Sequence, residues 1–506
     1  MKRLNASLLL TSAISCMPLS LSAEEKPNVL LILADDLGYG DISCYNPQSK
    51  ISTPNLDRLA SNGVIFTDAH ASSALSTPSR YSVLTGRYSW RTVYKQAVHD
   101  GYGEPMIPAE RATIGTIFSN SGYNTACIGK WHLGWDWGML PNASKRTDVD
   151  YQKAINNGPT TRGFDYFFGL PASLDMSPFV FVENDMVVTV PDRVLPKDTG
   201  LRLMHGGPAG EGFEPEECLQ TLFAKADEYI VNQTSKGNPF FMYLPITAPH
   251  TPVLPSEEYK GATSIGDYGD FVVMIDALIG QLVETLEKCG QADNTIIVFA
   301  SDNGCAPYVD TKNLERQGHY PSGPYRGYKS DIYEGGHRIP LIVSWSRISK
   351  PAKSSTPVCL TDLFATFADL VDYRYGDDTA EDSYSFLPDI LNKGKSKRKD
   401  LINQSGKGFL AFRKGSNKLI FHPGSGGWGY PSSDKEMEGL PELQFFDMSS
   451  DVAEKANLID EPRYRRKIRR MVRDIKEDIL SGRSTPGHPV DNDTENNWKQ
   501  IKMIVQ

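Results

Sequence analysis

From Pro27 onward, unbroken apolar runs alternate with segments in which apolar residues return every three or four positions. NVLLILADD, PFFMYLPI and NTIIVFASDNG are runs bounded by polar or turn residues, the pattern of strands buried on both faces. TPNLDRLASNG, EECLQTLFAKADEYIVNQT and GDFVVMIDALIGQLVETLEKCG carry the helical period, the first with a capped start and a glycine stop. Strands of this kind separated by helices predict an α/β architecture, a large and mostly parallel sheet sandwiched by helices. After about residue 400 the texture changes. GFLAFRKGSNKLIFHP and ELQFFDMSSD read as hairpin strands, and 462–481 as a final helix. An α/β domain over 24–400 and a smaller α+β subdomain over 401–506 are therefore expected. The last helix carries the basic run YRRKIRRMVRDIK, which resembles a polyanion-binding surface. However, Ile468, Met471, Val472, Ile475 and Ile479 recur at helical spacing, so the charges are read as the solvated side of a docked helix.

Composition narrows this picture. At 506 residues the chain exceeds the length over which one core usually grows, and 40% hydrophobic residues suffice for a large core with an appendage. The net charge of −9 argues against a nucleic-acid surface, so an anionic ligand must be held by a local cluster of positive groups. Residues 1–23 have a basic start, a short apolar stretch and small residues before an acidic sequence, the form of a signal peptide. That predicts export, with the periplasm as destination. Cys16, at the end of AISC, offers a lipid-anchored surface form as an alternative to cleavage after Ala23, although alanine stands where a lipoprotein signal usually has leucine. No later segment has the length and apolarity of a transmembrane helix. The seven cysteines show no paired spacing for zinc or a disulfide scaffold.

The chemistry-bearing residues fall where such a sheet collects ligands, beyond the carboxyl ends of its strands. Asp35 and Asp36 end one predicted strand, and Asp302 and Asn303 follow another. Either pair alone reads equally well as a turn cap. Together they offer hard oxygen ligands suited to calcium, or to magnesium, rather than to zinc. Positive groups stand in other loops: Lys130 and His132 in GKWHLG, His250 in APHTP, and Lys329 in RGYKSDIYEGGHRIP. Singly these are ordinary surface lysines and core histidines. LSTPSRYSVLTGR, residues 75–87, sets Ser76 before a helix with Pro78 and Arg80 in its first turns, and by itself reads as an N-cap.

Taken in order, these segments resemble a known family. Ser76-Thr77-Pro78-Ser79-Arg80 with LTGR matches the signature of the type I, formylglycine-dependent sulfatases of the alkaline phosphatase superfamily. ADD, GKWHLG, PHTP, SDNG, the Lys329 loop and the closing FFDMSSDVAEKANL follow in the family's order. The resemblance covers nearly the whole chain after the leader and implies an alkaline phosphatase-like fold and sulfate-ester hydrolysis. It also implies that a maturation enzyme oxidises Ser76 to formylglycine, whose hydrate has one hydroxyl to attack sulfur and a second to expel sulfate afterwards. Asp35, Asp36, Asp302 and Asn303 would then hold the ion together with position 76, and Arg80 would neutralise the oxygen there. Lys130 and Lys329 would hold sulfate, His250 would protonate the leaving oxygen, and His132 would take the second proton. Many members carry cysteine where this chain has Ser76, the form that bacterial radical enzymes mature.

Substrate choice falls to the loops. Residues 171–213, RQGHYPSGPYRGYK and GSGGWGYPSS supply Asp175, His319, Tyr325 and Trp428 as sugar-contact candidates. The pattern GHYPSGPYRGYKSD with EGGHR looks most like the branch containing arylsulfatase A and the N-acetylgalactosamine sulfatases. That implies a carbohydrate sulfatase acting on sulfated galactose or N-acetylgalactosamine units. Two alternatives remain at this level: a phosphate-ester hydrolase of the same superfamily, and a sulfated-glycan binder if Ser76 stays unmodified.

Overall fold

In the computed structural model, which describes residues 26–348 and 350–506, one 10-stranded sheet organises the chain. The predicted signal peptide and Cys16 lie outside the described residues. At the centre of the sheet are β1 (Asn28–Asp35), β2 (Asn124–Lys130), β3 (Tyr166–Leu170), β4 (Phe240–Pro249) and β5 (Thr295–Ser301). They lie in the order β5-β1-β4-β2-β3, each neighbour parallel to the next. Outside them, Leu341–Ser344 then Gly63–Phe66 at one edge, and Val182–Glu183 then Met186–Val187 at the other, each pair antiparallel with the neighbour nearer the centre, and Ala352–Ser354 pairs parallel with Gly63–Phe66, so the sheet is parallel at its centre and mixed at its edges.

Alternation along β1 explains its unbroken apolar run. Leu30 and Ile32 enter one core with Leu222 of α2 (Cys218–Lys236) and Leu282 of α3 (Asp267–Lys288). Val29, Leu31 and Leu33 enter the core on the opposite face with Val83 and Leu84 of α1 (Ser76–Thr85). A strand covered on both faces has no position where a polar side chain meets water. The helix Pro54–Ser61 forms where expected, but Thr53 does not cap it with its side chain. Asp276 of α3 caps it instead, accepting from the Asn55 and Leu56 N–H groups at 3.1 and 2.8 Å.

The carboxyl-terminal part forms a 4-stranded antiparallel sheet from β6 (Asp400–Gln404), β7 (Leu410–Lys414), β8 (Asn417–Ile420) and β9 (Gln444–Asp447). On it, α4 (Arg465–Leu480) packs Ile468, Met471, Ile475 and Ile479 against Leu401, Leu410, Phe412 and Phe445, with Val472 half-buried at the rim. The basic residues of this helix face away from that contact. The subdomain is tied to the segment that leads into α1, since Gln404 O accepts from Ala74 N at 2.8 Å.

One acid of α4 makes the fold pH-dependent. Burial, with the Asp400 carboxylate adding to it, pushes the Asp478 carboxyl up to about 8 from 3.8. Between those two values the folded chain holds a proton that the unfolded chain has lost. Stability contributed by that proton is complete below 3.8 and is lost as pH rises through about 8. Asp478→Asn is therefore expected to raise the melting temperature more at pH 8 than at pH 5. Equal shifts at both values, measured by thermal denaturation, would contradict the assignment.

Candidate active site

Because β1, β2, β4 and β5 are parallel, their carboxyl ends share one rim. β1 ends on Asp35 and continues into Asp36, β5 leads into Asp302 and Asn303, β4 into His250, and β2 ends on Lys130 two residues before His132. The register sets Ala34 beside Ser301 and Asp35 beside Pro249. As a result Asp35, Asp36 and Asp302 each offer a carboxylate oxygen, all within 4.8 Å of one another. Asp36 adopts φ 66°, the left-handed region, which lets its N–H donate to Asp302 Oδ1 at 3.1 Å. Asn303 Nδ2 donates to Asp36 Oδ1 at 2.7 Å, while its Oδ1 is buried without a partner. An orphaned amide oxygen beside three carboxylates is a donor set that fits a hard divalent cation. Burial opposes ionisation of both β1 acids, but it is outweighed. Lys130, His250 and Arg80 hold Asp35 below its usual range, and Lys329 and His250 do the same for Asp36.

Ser76 does not cap its helix. Leu75, in an extended conformation, is the capping residue, and Ser76 is the first residue of the fully buried α1. Its hydroxyl turns to the rim, donating to Asp302 Oδ2 at 2.5 Å with Asp35 Oδ1 at 3.4 Å. Arg80, one turn later on the same face, donates from Nε to Ser76 Oγ at 2.9 Å and from Nη2 to Asp302 at 2.7 Å. His132 has φ 58°, one of the sparsely populated conformations that collect at functional sites. Its Nε2 lies 2.8 Å from the His99 carbonyl, an acceptor only, so Nε2 carries the proton and Nδ1 is left as an acceptor 3.4 Å from Ser76 Oγ. Burial first, then Lys130 and Arg80, holds this imidazole well below the ordinary histidine range and therefore neutral.

Two lysines complete the floor. Lys130 Nζ donates to Asp35 at 2.7 Å and to Ser173 Oγ at 2.8 Å. Lys329 Nζ donates to Asp36 at 2.8 Å and to the Tyr308 hydroxyl at 2.9 Å. His250 gives its Nδ1 proton to the Thr251 carbonyl at 2.7 Å, and its Nε2 faces Tyr308 Oη at 3.0 Å and Ser173 Oγ at 3.4 Å. Sequence reasoning missed Tyr308 and Ser173. The signal was their position, each in the loop following a central strand, but no residue type there announces chemistry.

Of the sugar-contact candidates, Asp175 and Trp428 lie beside this cluster. Burial opposes the charge of Asp175, and His250 and His205 restore it, keeping its carboxyl below the usual range. The Trp428 ring lies 6.2 Å from that of Tyr308. His319 is different from its expected role. It is fully buried, donating to Asp41 at 2.8 Å and accepting from Lys50 N at 3.3 Å, a structural histidine with no free edge. Tyr325 is likewise taken up in packing, edge-on to Tyr39 at 5.2 Å with the Arg338 guanidinium 4.8 Å from its ring.

Against known proteins, residues 27–373 match the family model described as Sulfatase. An N-acetylgalactosamine-6-O-sulfatase from Bacteroides thetaiotaomicron is 34% identical over 493 residues, spanning 89% of this chain and 93% of that protein. The human N-acetylgalactosamine-6-sulfatase is 30% identical over 416 residues, spanning 80% and 73%. A solved structure from work on glycosaminoglycan metabolism by B. thetaiotaomicron superposes with a TM-score of 0.79 at 32% identity, covering 90% of this chain and 99% of that one.

Proposed function

Since the chain belongs to the sulfatase family and is a sulfuric ester hydrolase, we propose that it desulfates glycans, with 6-O-sulfated N-acetylgalactosamine or galactose units as substrate. The observation that carries this reading is the convergence of the Ser76 hydroxyl, the carboxylates of Asp35 and Asp302, and Arg80 at one buried point. The substrate rests on the likeness to N-acetylgalactosamine-6-sulfatases across most of the chain. Asp35, Asp36, Asp302 and Asn303 would hold a divalent cation, in our reading calcium, which would supply Lewis-acid chemistry at the sulfate. Formylglycine made from Ser76 would supply a hydrated aldehyde with one hydroxyl to attack sulfur and a second whose loss of a proton would re-form the aldehyde as sulfate leaves with the C–O electron pair. The signal-peptide pattern of residues 1–23 supports export to the periplasm as part of this reading.

The chain's own groups then divide the work. Arg80 holds negative charge on the oxygen at position 76. Lys130 and Lys329 exchange their aspartate contacts for sulfate oxygens and stabilise the charge that shifts as the S–O bond breaks. His250, its Nδ1–H held by the Thr251 carbonyl, presents Nε2 to the departing sugar oxygen and, entering the step as the imidazolium, gives it the Nε2 proton. His132 accepts a proton through Nδ1, the nitrogen nearest position 76.

Three measurements test this. Digestion of protein made with the maturation enzyme should yield the Ser76 peptide about 2 Da light, because serine-to-aldehyde oxidation removes two hydrogens. An unmodified peptide in active protein would contradict it. His250→Ala is expected to cost about 10²- to 10⁴-fold on a sugar sulfate but far less on p-nitrophenyl sulfate, whose phenolate leaves without an acid. Equal losses would remove His250 from that role. Finally, a panel of mono-sulfated sugars should show release from 6-O-sulfated galactosamine-type units, and preference for another position or sugar would overturn the substrate reading.

A further inference from the structure

Two groups flanking His250 are not used by the chemistry above. The loop after β3 carries Ser173, which touches both Lys130 and His250, and two residues later Asp175. Asp175 is 3% exposed, its Oδ2 is 3.4 Å from Nε2 of the solvent-facing His205, and its Oδ1 is buried with no partner. A buried carboxylate oxygen left unpaired in the free protein is costly unless a ligand donor completes it. Tyr308 also reaches His250 Nε2 and meets the ring edge-on at 5.8 Å, and next to Tyr308 stands Trp428, 50% exposed. The Trp428 loop is fixed. Asp331 Oδ1 accepts from Trp428 N and Gly429 N at 3.1 and 2.7 Å, and at Gly427 a Cβ would come within 2.3 Å of the Ser330 carbonyl. The loop therefore lies directly on the residue after Lys329.

We propose that Asp175 with His205, reached from His250 through Ser173, and Trp428, reached from it through Tyr308, form a sugar subsite that selects the galacto configuration. This rests on the reading that the ester is at O6. In a hexose 6-sulfate the hydroxyl nearest the ester oxygen is the one at C4, so the Asp175 carboxylate, two residues beyond the Ser173 that touches His250, is placed to accept from it. When that hydroxyl is axial, the opposite ring face presents contiguous C–H groups, a surface that an indole ring covers well. The gluco epimer turns its 4-hydroxyl into the ring plane and leaves Asp175 unpaired, which is how a site built around one hydroxyl rejects an analogue.

The test compares matured wild type, Asp175→Asn and Trp428→Ala on three substrates: 6-O-sulfated N-acetylgalactosamine, its N-acetylglucosamine epimer and p-nitrophenyl sulfate. Asp175→Asn should lose about 10²-fold or more in kcat/KM on the galacto sugar and bring the galacto-to-gluco ratio towards one. Trp428→Ala, on a half-exposed side chain that folding does not need, should raise KM for the galacto sugar about tenfold. In both variants the loss on the sugar should exceed that on the aryl sulfate at least tenfold. Equal losses on sugar and aryl sulfate, or an unchanged epimer ratio in an enzyme that prefers the galacto sugar, would overturn the subsite alone. A wild type that prefers the gluco epimer would overturn the substrate reading itself.

Discussion

Asp302→Ala is expected to abolish turnover and to empty the cation site together. Asp302 joins the nucleophile position, Arg80 and the β1 acids in one set of hydrogen bonds. It accepts from Ser76 at 2.5 Å and from Arg80 at 2.7 Å through Oδ2, and from Asp36 N at 3.1 Å through Oδ1. Removing it takes away one of three carboxylates from a site that binds by charge and donor number, and frees the hydroxyl at 76 from its strongest acceptor. A loss in kcat of about 10³-fold or more is expected, the order reached when a single preorganised charge stabiliser is deleted. Metal analysis of the purified variant should show well under half an ion per chain. Arg80 would also be left buried against Asp35 alone at 3.2 Å, so the melting temperature should fall. Wild-type activity or full metal content in this variant would sink the assignment of the rim.

Ser76→Ala separates the nucleophile from the cation site. The three carboxylates and Asn303 reach their positions through strand ends and the turns that follow them, so metal content should stay near wild type. Turnover should fall by about 10⁶-fold, the order found when a covalent nucleophile is removed. Such a variant should still bind a sulfated sugar, since Lys130, Lys329 and the Asp175 side of the pocket are untouched. Measurable turnover well above background would place the nucleophile elsewhere.

Much of this protein is legible in its sequence. Continuous apolar runs such as that of β1 can be buried only between two layers, so the covered sheet follows from hydrophobicity alone. The apolar spacing in α4 likewise determines which side of its basic run is docked. The ordered motifs, through the family they resemble, name the acids, lysines and histidines of the rim; all but Lys329, which lies in the long loop after β5, stand at or just past a strand end in a sheet whose chain direction repeats.

Other features need the folded chain. Whether Ser76 caps a helix or faces a cation site depends on where Asp302, 226 positions away, arrives. The His132 tautomer depends on a carbonyl from a separate loop, and Tyr308 acquires its place only because β5 and the Lys329 loop meet beside His250. His319 misleads for the same reason: its sequence neighbours suggest a loop mouth, while Asp41, 278 positions earlier, holds it in the interior. Hydrophobic period is a local property that a sequence records directly. A hydrogen-bond partner brought from a distant segment is a property of the packing, and only the tertiary structure decides it.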